Sequence, residues 1–115
     1  MGINFNFKQY GVVVTGGAQG IGFETAKMFL TSGAKVSIWD YSQESLDAAK
    51  KELSSFEDQA QFVKVDVTQM ASCQAAAQSL PFKLDVLINN AGITRDKSFA
   101  KMSEEDFEAV IQTNL

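Results

Sequence analysis

The chain has no histidine, one cysteine and one proline in 115 residues. Without histidine, a Cys–His nucleophile is excluded, and a zinc or other metal site is not expected. The lone Cys73 forms no internal disulfide, and its neighbours Ala71, Ala75 and Ala76 place it at a helix surface or a half-buried position. There is no basic run, and ten basic against fourteen acidic residues leave a net charge of −4, so nucleic acid is not an expected partner. No apolar segment approaches the roughly 20 residues that span a bilayer, so no membrane partner is expected either. The first residues, Met1 to Asn6, lack the charged-then-apolar pattern of a signal segment. Together with the single cysteine, this gives a cytoplasmic location as the expectation.

What is present reads as one globular domain over residues 1–115, with 45% hydrophobic and 21% charged residues. Apolar β runs alternate with helical segments. Gly11 to Thr15 reads as a buried strand, and Gly20 to Thr31 as a helix with Ile21, Ala26, Phe29 and Leu30 on one face and Gly33 as its stop. Lys35 to Trp39 is a second strand. Ser42 caps a helix reaching about Ser55. Ala60 to Val67 is a third strand, Thr68 caps an Ala-rich helix to about Ser79 before Pro81, and Leu84 to Asn89 is a fourth strand. The alternation predicts an α/β fold, a doubly wound parallel sheet in the order 3-2-1-4 with helices on both faces.

A last helix is specified from Ser103. Ser103-Glu104-Glu105-Asp106 fits a capping box in its Asp form, and Met102 and Phe107 fit a hydrophobic staple. Phe107, Val110, Ile111 and Leu115 share a face, with Asn114 near its centre. Asn114 is open to two readings: a polar residue satisfied by backbone, or one placed to orient water at a site. The segment Gln112 to Leu115 carries no helix stop, and a fourth strand with nothing beside it is an open edge. Both features lead to the expectation of a segment of something longer, or of one completed by self-association through that edge or the last helix.

The most informative stretch is Thr15-Gly16-Gly17-Ala18-Gln19-Gly20-Ile21-Gly22, which follows Val12-Val13-Val14 and opens a helix. Its glycines are spaced G-x-x-x-G-x-G rather than the commoner G-x-G-x-x-G. A glycine-rich strand-to-helix turn lets backbone approach a ligand, and the free N–H groups of the helix's first turn favour negative charge. The stretch therefore points to a dinucleotide, although the same glycines also suit a turn that holds nothing.

With this turn, Asp40, Asp66, Asn89-Asn90-Ala91-Gly92 and Asn114 all in place, the whole chain resembles the short-chain dehydrogenase/reductase family. Thr15 to Gly22 matches its TGxxxGxG and Asn89 to Gly92 its NNAG. Ile93-Thr94-Arg95-Asp96 and Glu104 to Leu115 look most like its 3-oxoacyl-thioester reductases, which act on acyl-carrier-protein or acetoacetyl-CoA substrates. The resemblance implies a Rossmann-type α/β/α fold, incomplete relative to the family. It implies hydride transfer between a nicotinamide dinucleotide and a carbonyl or hydroxyl, with a 3-oxoacyl thioester as substrate, in a homo-oligomer. It further implies that Gly16, Gln19, Gly20, Ile21 and Gly22 hold the pyrophosphate and adenosine ribose. Asp66 and Val67 would contact the adenine, and Asn90, Ala91 and Gly92 would line the adenosine-ribose side. Asn114 would support a water in the proton relay.

Asp40, at the end of the second strand, can accept hydrogen bonds from both adenosine-ribose hydroxyls and would repel a 2′-phosphate. Gln19 stands where members preferring NADP often carry Arg, so NAD(H) is expected over NADP(H). Asp40 equally suits a cap on the turn that follows it. The family's Tyr-x-x-x-Lys is not in this chain: Tyr10 is followed at that spacing by Val14, and Tyr41 by Ser45. The 115 residues alone are therefore expected to be inactive, and a non-catalytic nucleotide-binding or oligomerisation module stands as the alternative.

Overall fold

The computed structural model describes Lys8 and residues 10–90. The helix expected from Ser103 with Asn114, and Ala91 and Gly92, lie outside the described residues. The described chain runs β1 (Gly11–Thr15), α1 (Gly20–Thr31), β2 (Lys35–Asp40), α2 (Gln43–Glu52), a 3-10 turn (Ser54–Phe56), β3 (Ala60–Lys64), α3 (Met70–Gln78) and β4 (Val86–Asn89). The strands form one sheet in the order β3-β2-β1-β4, and every pairing is parallel. Right-handed crossovers account for this order: two move outward from β1 through α1 and α2, and the third returns through α3 to the other side of β1.

The strand period of two then divides the core between two faces. Val12 and Val14 of β1, with Val36 and Ile38 of β2, pack under Ala26 and Leu30 of α1 and Leu46 and Ala49 of α2. Val13 and Trp39 face the other way, against Cys73, Ala76 and Ala77 of α3. The result is the expected three-layer α/β/α arrangement. No helix among the described residues is long and apolar enough to cross a membrane.

Side chains set several element ends differently from the sequence expectation. β4 begins at Val86 rather than Leu84, because the Asp85 carboxylate accepts the Gly11 N–H at 2.9 Å and so replaces a ladder carbonyl. β3 stops at Lys64 rather than Val67, where its partner β2 also ends in the Asp40–Lys64 pair. Thr68 is not the cap of α3: Gln69 occupies that position without a side-chain bond, while the Thr68 hydroxyl donates to Asp66. Ser42 does cap α2, accepting the Ser45 N–H at 3.1 Å, but that helix ends at Glu52 and the 3-10 turn follows.

Two placements are corrected by helix geometry. Ile21 is 75% exposed instead of lying on the buried face of α1. At about 100° per residue it sits roughly 180° around the helix from buried Leu30, so both cannot face the sheet. Cys73 is fully buried rather than at a helix surface or half-buried. Its face of α3, shared with Ala76 and Ala77, is the one that packs on Val13 and Trp39.

Burial, and secondarily the charge of Asp66, pushes the Cys73 thiol up from 9.0 to about 11. Cys73 should therefore resist iodoacetamide at pH 8 in the folded protein and react readily in denaturant, as read by mass spectrometry. Because its folded pKa is the higher one, its stabilising contribution is present below about pH 9 and is lost as pH rises through about 11. A Cys73→Ala variant should show less alkaline destabilisation over that interval.

Candidate functional site

The site is built where the four parallel strands end. β1 finishes in Thr15, and its hydroxyl donates to Asn89 Oδ1 at 2.9 Å, tying the carboxyl ends of β1 and β4 together. Asn89 Nδ2 is buried and finds no hydrogen-bond partner among the described residues, which leaves a donor at this junction. The next residue, Asn90, donates from Nδ2 to the Gly16 carbonyl at 3.2 Å. One threonine and two asparagines thus join the glycine turn to the end of β4.

The turn itself is shaped by two requirements. Gly16 and Gly20 have φ of 62° and 60°, a left-handed backbone that side chains resist. A Cβ on Gly20 would meet nothing within 4 Å, so this corner faces open space. Gly22 is the opposite case: its Cβ would lie 2.1 Å from the Gly16 carbonyl oxygen and 2.7 Å from Asn90 Nδ2. Helix α1 therefore starts in direct backbone contact with the turn that feeds it. Its own hydrogen-bond ladder begins when Phe23 N–H reaches the Gln19 carbonyl at 3.2 Å, so the N–H groups of Gly20, Ile21 and Gly22 stand outside it. Gln19 and Ile21 are exposed beside them, and the Gln19 side chain makes no cap bond.

The end of β2 is wired to the same turn. Asp40 is only 7% exposed. Its Oδ2 accepts the Ala18 N–H at 3.1 Å and its Oδ1 accepts the Ser42 N–H at 3.1 Å. Gly17 N–H reaches the Trp39 carbonyl at 3.2 Å. Asp40 therefore does cap the following turn, and it also braces the glycine turn. Two backbone bonds leave acceptor capacity on a carboxylate with about four lone-pair sites.

Asp66 and Val67 follow β3 and are half-buried. They sit at the same end of the sheet, linked to it through Val65 N–H and the Asp40 carbonyl at 2.9 Å. Among the described residues their side chains make no hydrogen bond to the glycine turn. The structure thus brings Gly16, Gly22 and Asn90 into direct contact, ties Asp40 to the same turn through Ala18, and leaves Asp66 and Val67 at the same sheet end without a direct bond to the turn.

Sequence reasoning missed the role of Ala18, which acts through its backbone and so leaves no side-chain signal. It also missed Lys64, whose ammonium lies 5.5 Å from the Tyr41 ring centre beside Asp40. Adjacent strand ends and exposed side chains were the available signal for that pair. An open groove along the outer face of α1, lined by Ile21, Thr25 and Met28, touches this region only at Gly20 and Ile21. No group of His, Cys, Asp or Glu among the described residues suits a metal ion.

A cradle of backbone donors facing open space, with a buried carboxylate at the next strand end, fits an anionic diphosphate followed by a ribose. Comparison with known proteins identifies the family. The chain is 41% identical over 107 residues to the 3-oxoacyl-[acyl-carrier-protein] reductase FabG of Chlamydia pneumoniae, across 90% of this chain and 43% of that protein. It is 33% identical over 108 residues to a 3alpha-hydroxysteroid dehydrogenase of Mediterraneibacter gnavus, again across 90% of this chain and 43% of the relative. The chain thus spans less than half the length of these curated relatives. Among solved structures, the NADP active-site complex of Pseudomonas aeruginosa RhlG superposes with a TM-score of 0.74 at 25% identity, covering 100% of this chain and 48% of that one. The sequence model of the short chain dehydrogenases matches residues 11–115, and the chain belongs to that family.

Proposed function

We propose that the chain is the dinucleotide-binding part of an NAD(H)-dependent oxidoreductase acting on a carbonyl or hydroxyl, with a 3-oxoacyl thioester as the substrate class. The observation that carries this reading is Asp40, a buried carboxylate bonded to the glycine turn at the end of β2. The C. pneumoniae relative, a 3-oxoacyl-[acyl-carrier-protein] reductase, supports the substrate class.

When bound, the nicotinamide supplies or accepts the hydride. The chain's own residues bind and orient. The N–H groups of Gly20, Ile21 and Gly22, at the positive end of α1, take the pyrophosphate charge, with Gly16 and Gln19 completing the turn. Asp40 accepts hydrogen bonds from the adenosine-ribose hydroxyls, and its charge opposes a 2′-phosphate. Asp66 and Val67 meet the adenine, and Asn90, Ala91 and Gly92 line the ribose side. Asn114 holds a water that relays a proton. The acid/base of the reaction is supplied outside these 115 residues, because neither Tyr10 nor Tyr41 has a lysine four residues on. That absence favours one second reading, in which the 115 residues act alone as a nucleotide-binding or oligomerisation module. The protein is read as a cytoplasmic homo-oligomer.

Calorimetric titration of the protein, at the length its natural reading frame encodes, tests the cofactor assignment. NADH should bind at least about tenfold tighter than NADPH, equivalent to about 1.4 kcal/mol. Asp40→Ala should narrow that gap. Equal or tighter NADPH binding would mean that Asp40 serves only to hold the two turns it bonds.

The glycine turn is tested by a pair of substitutions. Gly22→Ala forces a Cβ against the Gly16 carbonyl and should abolish NADH binding and lower the melting temperature. Gly20→Ala meets no neighbour and carries only left-handed strain, about 1–2 kcal/mol. It should leave a folded protein with weaker binding. The ranking is read from thermal melts alongside the titrations.

A further inference from the structure

We propose that Thr68 is a positioning residue for adenine recognition: it clamps one oxygen of the Asp66 carboxylate and so aims the other at the exocyclic amino group of the cofactor's adenine. The inference rests on the assignment of Asp66 to the adenine made above.

The loop after β3 fixes Asp66 at every point but one. Its N–H donates to Ser72 Oγ at 2.9 Å, a side chain from the first turn of α3. Its carbonyl accepts the Gln69 N–H at 3.0 Å. The Cys73 thiol lies 3.8 Å from the Val67 carbonyl oxygen and underpins the loop from the core side. Main chain and loop are thus set before the side chain is considered.

The carboxylate is then held through a single oxygen. Asp66 Oδ1 accepts the Thr68 N–H at 3.0 Å and the Thr68 hydroxyl at 2.6 Å. No hydrogen bond among the described residues reaches Oδ2. The backbone bond survives any residue but proline at position 68, and alone it leaves the carboxylate on one tether. The hydroxyl bond is short and charge-assisted, and adding it fixes the plane of the group. A carboxylate so held presents its other oxygen as a free acceptor in one direction, from a half-buried residue at the sheet end.

That geometry has a chemical consequence. An ionised carboxylate only accepts hydrogen bonds. It therefore favours adenine, which carries an amino donor, over hypoxanthine, which carries a carbonyl oxygen at the same place. A Thr68 that merely stabilised the turn would weaken both cofactors alike and leave their ratio unchanged.

The test measures that ratio in the protein at its natural length, from calorimetric dissociation constants for NADH and its hypoxanthine counterpart. Asp66→Asn should abolish the preference for adenine. Thr68→Val, which keeps the shape and the N–H but loses the hydroxyl, should reduce the preference by about fivefold. Thr68→Ser should retain it. Should Thr68→Val not fold, Thr68→Ala carries the same comparison. If Asp66→Asn loses the preference while the hydroxyl-free variant keeps it within about twofold, the role given to Thr68 is wrong and the adenine assignment stands. If Asp66→Asn keeps the wild-type preference, the adenine assignment itself fails and takes the proposal with it.

Discussion

Helix α1 meets the end of β1 so closely that a single methyl on residue 22 would stand 2.1 Å from the Gly16 carbonyl oxygen. The start of α1 and the link from the glycine turn to β4 follow from that backbone contact. Because the helix begins there, its unpaired N–H groups open at the strand ends rather than further out. Because the Gly16 carbonyl is turned toward Gly22, Asn90 can reach it from β4 at 3.2 Å. The strand order then matters, since β4 returns beside β1 only because the third crossover runs back over the sheet. Local glycine chemistry and global topology meet at one oxygen atom.

Asp40 extends the same construction to β2. Two readings of this residue, turn cap and ligand contact, look like competitors in the sequence. In the fold they are compatible, because each carboxylate oxygen takes one backbone N–H and retains room for another donor. The two backbone bonds offset the desolvation of a nearly buried charge. They also hold that charge against the glycine turn.

Legibility in the sequence followed physical range. The strands and α1 were readable because apolar runs and glycine stops act within a few residues, and the crossover rule turned their alternation into the observed order. The glycine turn was readable for the same reason. Element ends were not, wherever a distant side chain decided them: Asp85 reaches Gly11 across 74 positions and shortens β4. The Thr68 hydroxyl was spent on Asp66 rather than on capping α3, a choice between two acceptors that local pattern leaves open. Ile21 was placed on the buried face by hydrophobicity, whereas helix rotation puts it opposite Leu30. Cys73 was placed at a helix surface or half-buried by its alanine neighbours, yet it is fully buried, and Ala76 and Ala77 form the packed face with it. The contacts of Ala18 and Gly17 are backbone contacts, and no sequence pattern names them.

The most direct test of the account is a map of backbone amide shifts as NADH is added to the isotopically labelled protein. The account predicts the largest changes at Ala18, Gly20, Ile21 and Gly22, with smaller ones at Asp40, Asp66 and Val67. The buried side of α2 and the start of every strand should stay still. Changes confined to the outer groove of α1 around Thr25 and Met28, or none at the glycine turn, would contradict it.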